Sequence, residues 1–175
     1  MILPETPRHI GLTASYIKDS YQKVEQLSGI EFGPDYLWHI NNPDQSDWFP
    51  DSTMPSVALC IFKEYFPERQ VQFASDLQYS LYFEGRDLCD AEAYRHLVEK
   101  YDLPVEAFFQ KLKSNEYKET AAYEFALVKQ LQVTGFPTVL LQISDTKFYL
   151  LCRGFASYEM VRENLEKILT ELNIK

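Results

Sequence analysis

An α/β fold, mostly helical and closing with a β-hairpin and one more helix, is predicted by three observations. Apolar residues recur at helical spacing through most of residues 12–131. The pattern then changes to the β-rich run Thr138–Ile143, the turn Ser144-Asp145-Thr146 and the second run Lys147–Cys152. Between them stands Val133-Thr134-Gly135-Phe136-Pro137-Thr138, with a proline at the strand entrance, where it costs no interior ladder bond.

The elements follow in order. Ile17, Tyr21, Val24 and Leu27 recur at three to four residues and predict a helix over 12–27, stopped by Gly29. Residues 30–53 hold Gly33-Pro34, Asn42-Pro43 and Phe49-Pro50 and are expected to form a long irregular connection, pinned by Trp38 and Trp48. Pro55 suits the first turn of a helix reaching Tyr65. The next helix is expected over 68–83, with Val71, Ala74, Leu77 and Leu81 on its inner face and Gly85 as its stop. Asp90 reads as the cap of a helix that turns Ala93, Tyr94, Leu97, Val98 and Tyr101 inward. Pro104 opens a short helix with Phe108, Phe109 and Leu112, and a longer one spans 116–131. After the hairpin, Ser157 caps a last helix whose Val161, Leu165, Ile168 and Leu172 face inward.

Composition narrows the function. The chain has 175 residues, enough for one domain with a sizeable insertion, and 46 % are hydrophobic. A net charge of −9 argues against nucleic acid or an anionic membrane as partner, since both require a basic surface. No apolar run approaches the ~18 residues of a membrane helix. The start of the chain has neither the basic nor the long apolar region of a signal peptide. Cys60, Cys89 and Cys152 are odd in number and widely spaced, which fits reduced thiols in a cytoplasmic protein.

Two further segments carry a resemblance. Tyr82-Phe83-Glu84-Gly85-Arg86-Asp87-Leu88-Cys89-Asp90 is similar to the Glu-Gly-Arg-(Asn/Asp)-x-(Ser/Cys)-Asp segment in the helical insertion of DsbA-family proteins of the FrnE-like type. Ser114-Asn115-Glu116-Tyr117-Lys118, Ala122-Tyr123-Glu124-Phe125-Ala126 and Val133–Thr138 resemble that family's run into the loop before its third strand. The resemblance implies a thioredoxin-like (DsbA-like) fold, with residues 1–132 as helical insertion and lead-in and residues 133–175 as the C-terminal half of the thioredoxin-like domain. It implies protein thiol–disulfide oxidoreduction or isomerisation, acting on protein thiols or disulfide-containing polypeptides.

It implies too that the family's N-terminal strand, Cys-x-x-Cys helix and strand would lie ahead of residue 1. Thiol–disulfide exchange needs an attacking thiolate and a resolving cysteine two residues on, and no Cys-x-x-Cys occurs in these 175 residues. No catalytic residue is therefore assigned.

In the family, the residue before a cis-proline pairs by its backbone with an extended substrate. Carried over, that role falls on Phe136 and Pro137, shaped by Thr134 and by Gly135, which is expected to supply backbone freedom. Two alternatives remain open. One is a redox-inactive binding or scaffold module using the same loop. The other is a relative of the glutathione-dependent kappa-class transferases and hydroxychromene-carboxylate isomerases, which share the insertion and the loop.

Cys60 and Cys152 read as small buried hydrophobes and Cys89 as a thiol with weak activation. Arg86 and Asp87 read as local bonds at a helix end, with anion binding as the other possibility. His9, His39 and His96 have no ligand spacing, so no metal and no cofactor is expected. The hairpin's apolar faces and open edge point to a homodimer through the sheet edge.

Overall fold

The computed structural model describes residues 7–174. The first six residues of the expected lead-in lie outside that range. Its α-helices are α1 (Gly11–Ser28), α2 (Pro34–Asn41), α3 (Thr53–Tyr65), α4 (Gln70–Tyr82), α5 (Arg95–Lys100), α6 (Val105–Lys113), α7 (Asn115–Gln130) and α8 (Tyr158–Glu171). Strands β1 (Thr138–Ser144) and β2 (Lys147–Arg153) form an antiparallel pair between α7 and α8. Short 3-10 turns cover Pro43–Gln45, Pro67–Arg69 and Ala91–Tyr94. The chain divides into two compact units, one of residues 3–124 and the other holding residues 125–175, so α7 contributes to both.

The helical unit owns the main core. Phe62 and Phe73 stack at 4.1 Å and are fully buried, with Tyr101 edge-on to Phe62 at 4.8 Å. Val57, Ala58, Ile61, Tyr94, Leu97, Val98, Phe108 and Leu112 close around them, which joins α3, α4, α5 and α6. A second cluster of Ile10, Ala14, Tyr36, Ile40 and Trp48 joins α1 to α2.

Four expectations need correction. Residues 30–53 are not one irregular connection. Pro34 stands in the first turn of α2, where its missing N–H is no loss, and the helix runs for eight residues. Trp48 is buried as an anchor, but Trp38 faces outward and is 45 % exposed. The core face of α4 carries Phe73 and Leu77, while Val71 is 79 % exposed. The inner row of that helix begins two residues later than Val71, on the larger aromatic ring. Finally, Val24 and Leu27 of α1 are exposed. Only the first half of that helix meets α2, through Ala14 and Ile17.

In the C-terminal unit the hairpin carries two register shifts, between Val139 and Leu140 and between Gln142 and Ser144. Such bulges bend and twist a strand pair. The Ser157 hydroxyl accepts the Met160 N–H at 3.2 Å and starts α8. The Asn164 side chain donates to the Leu151 carbonyl of β2 at 2.9 Å and ties that helix to the strand. Val161, Leu165, Ile168 and Leu172 are half-buried, not core.

Candidate functional site

The loop before β1 is built by its two ends. At the first, α7 closes with Val133 N–H on Val128 O at 3.1 Å, and Gln132 takes the left-handed turn at φ +54°. At the second, Pro137 O accepts the Gly154 N–H at 2.8 Å, continuing the hairpin one step beyond the Thr138–Arg153 pair. Gly154 sits at φ +78°, where a side chain would be strained. Inside the loop the Thr138 hydroxyl donates to Gly135 O at 2.7 Å. The Phe136–Pro137 peptide is cis.

Thr134, Gly135, Phe136 and Pro137 thus form one loop at the end of the hairpin. The Phe136 ring is 61 % exposed. Among the described residues its N–H and C=O make no backbone hydrogen bond, leaving a donor and an acceptor open to an extended chain. Gly135 has no positive φ, and among the described residues no atom crowds its missing Cβ, so the backbone freedom expected there is used at Gln132 and Gly154 instead.

The other candidates resolve locally. Arg86 Nε donates to Glu84 Oε2 at 2.6 Å, and Asp87 Oδ1 accepts the Cys89 N–H at 2.9 Å. Cys89 Sγ lies 3.7 Å from Phe49 O and 3.9 Å from Asp51 O. Burial pushes this thiol up to about 11, with the Asp51 backbone contact acting in the opposite sense. Burial also raises Cys60, and the Glu124 carboxylate adds to the shift. The three cysteines are unpaired and half-buried. Among the described residues no group of three His, Cys, Asp or Glu could hold a metal ion, and no helix is long and apolar enough to cross a membrane.

Two polar clusters are invisible in the sequence. Ser80, buried at 1 %, brings its hydroxyl to His96 Nε2 at 3.0 Å, and Glu84 Oε2 stands 3.4 Å from the same nitrogen. His96 Nδ1 is buried without a partner. Both partners approach one nitrogen, so no acid orients the ring from behind as a hydrolytic triad requires. The second cluster joins His9 and His39 at Ser46. Separations of sixteen and thirty-seven residues leave no local motif that could reveal either contact.

The family model of the DSBA-like thioredoxin domain matches residues 49–166. The chain belongs to that family, and its fold is the DsbA-like thioredoxin fold in a strongly helical form. A candidate protein disulfide isomerase from Nitrosomonas europaea is similar over 96 % of this chain and 78 % of its own, with a TM-score of 0.82 and 21 % identity. The cytosolic disulfide reductase DsbM from Pseudomonas aeruginosa is similar over 95 % of this chain and 79 % of its own, with a TM-score of 0.67 and 21 % identity. Its structure with GSH gives 0.67 at 18 % identity, over 95 % of this chain and 80 % of that one. No curated protein sequence matches significantly.

Proposed function

We propose that the chain docks extended cysteine-bearing polypeptides for thiol–disulfide exchange, and that Thr134, Gly135, Phe136 and Pro137 are the docking loop. The observation that carries this reading is the backbone of Phe136, without a backbone hydrogen bond among the described residues, beside its exposed ring. Family membership supplies the chemistry. Residues 133–175 are the docking half of the thioredoxin-like domain and residues 1–132 the helical insertion. None of the three cysteines is assigned the exchange itself, because the burial that raises Cys60 and Cys89 disfavours the thiolate. Unpaired cysteines, together with the cytosolic relative, support a reducing compartment such as the cytoplasm.

A second reading, glutathione as the bound thiol, is supported by the Pseudomonas aeruginosa structure with GSH. Two titrations followed by amide NMR separate them. An unfolded, reduced model polypeptide should shift the amides of 134–138, and reduced glutathione should leave them in place. Shifts with glutathione alone favour the second reading. If neither ligand moves that loop, the docking assignment is wrong.

A further inference from the structure

The Phe136 N–H has a fixed direction only if its peptide plane has one. The Gly135–Phe136 peptide is trans, so its carbonyl and its N–H lie in one plane and point in opposite directions. Whatever holds Gly135 O therefore aims the Phe136 N–H. Gly135 itself does not hold the plane. Glycine has the widest backbone choice and the most freedom to lose on ordering. Among the described residues no atom lies within 4 Å of its missing Cβ.

The holder comes from the strand. The Thr138 hydroxyl donates to Gly135 O at 2.7 Å, a return to nearby backbone that short hydroxyl side chains commonly make. Thr138 is the first residue of β1 and pairs with Arg153, so the ladder fixes its backbone. Its β-branch restricts χ1, which makes the hydroxyl a stiff arm. On the other side, Pro137 O accepts the Gly154 N–H at 2.8 Å. The carbonyls before and after that of Phe136 are thus both engaged by the fold.

We infer that Thr138 is a positioning residue: its hydroxyl locks the Gly135–Phe136 peptide plane and so presents the Phe136 N–H, already ordered, to a docked extended chain. The inference rests on the docking role proposed for residues 134–137 and adds a residue beyond them. Strand addition draws its affinity from main-chain hydrogen bonds. A donor ordered before binding removes the loss of freedom that binding would otherwise impose. Thr138 acts on the docked chain through Gly135 and not by touching it.

Amide relaxation and a peptide titration, run on the full chain and on Thr138→Val and Thr138→Ser, test this. Valine keeps the strand preference of threonine but has no hydroxyl. The Phe136 amide order parameter should be about 0.85 in the unmodified chain and in Thr138→Ser, and below about 0.6 in Thr138→Val. A reduced peptide of alternating alanine and threonine around one cysteine should bind Thr138→Val roughly three- to tenfold more weakly, and Thr138→Ser about as well as the unmodified chain. Exchange protection of the β2 amides and of Phe62 in α3 should be the same in all three. Equal Phe136 order and equal affinity in Thr138→Val and the unmodified chain overturn the inference. So does a loss confined to β2 protection, which marks a purely structural threonine. If Thr138→Val does not form the hairpin, the unmodified chain decides alone, because a Phe136 order parameter below about 0.6 there means that the plane is not held. A peptide that shifts no amide of 134–138 in any of the three removes the docking reading, and the order parameters still show separately whether Thr138 holds the plane.

Discussion

Single residues set what this chain's thiols and rings can do. Cys89 stands two residues before a turn whose cap, Asp90, accepts the Glu92 N–H at 3.0 Å. A residue near a helix start suggests activation in the sequence, yet burial wins and the thiol is held near 11. At neutral pH its alkylation by iodoacetamide should run roughly tenfold or more slower in the folded chain than in urea. Mass spectrometry of the labelled peptide checks this, and equal rates would show an activated thiol. His96 has the opposite sign of interest. Burial lowers its proton affinity first and the Arg86 charge second, against the pull of Glu84. The unfolded chain therefore binds the proton more strongly, and stability falls as pH drops through the unfolded histidine value of about 6.5, levelling off below the folded one. The urea midpoint should lose more between about pH 7.5 and about pH 5.5 in the unmodified chain than in His96→Gln. An identical loss in the two proteins would mean that His96 is not the titrating group.

Elements were legible where one signal dominated. The hairpin was readable because two short apolar runs flank a polar turn, and α8 because Ser157 stands before a helical stripe. The cap is local, so its value is local as well. Ser157→Ala should cost about 1 kcal/mol and fray the first turn of α8, measured as the loss of Met160 amide protection. The helix α2 was hidden because eight residues between prolines and glycine carry more turn signal than periodicity. What places it is tertiary. Gly33 N–H bonds Tyr82 O at 2.9 Å, and a methyl on Gly33 would overlap the Phe83 carbonyl. Gly85, at φ +68°, brings its missing Cβ position within 2.6 Å of Asp35 Cβ. The Glu84-Gly85-Arg86 segment is thus a close backbone crossing, a property of the fold that no spacing in the sequence states. Gly33→Ala should destabilise the helical unit by roughly 2 kcal/mol or more, because backbone and not a side chain must move. A chemical denaturation midpoint unchanged by this substitution would remove the crossing from the account.

At the scale of the whole molecule, the buried core and the candidate loop belong to different units. Among the described residues, every large side chain that is fully buried lies in the helical unit, whereas the C-terminal unit buries Leu151. The composition of β1 anticipated a strand covered on both faces, since Val139, Leu141 and Ile143 alternate with an apolar Leu140. In the structure Val139 is 39 % exposed, Leu150 51 % and Phe155 64 %. The described sheet has two strands, so among the described residues each has one edge without a backbone partner. A lone hairpin is marginal in water, and an open apolar edge invites a further strand. A second copy of this chain supplies such a strand at every encounter, and we propose self-association through that edge. Light scattering should therefore show dimers whose population rises with concentration, and hairpin amides should gain protection in parallel. Replacing Val139 and Leu150 by Lys puts charge on the exposed positions without touching the buried Leu151, and should return the chain to monomer with its helical content intact. A monomer that persists at high concentration, with residues 138–153 exchanging freely, would mean that the open edge carries no such drive.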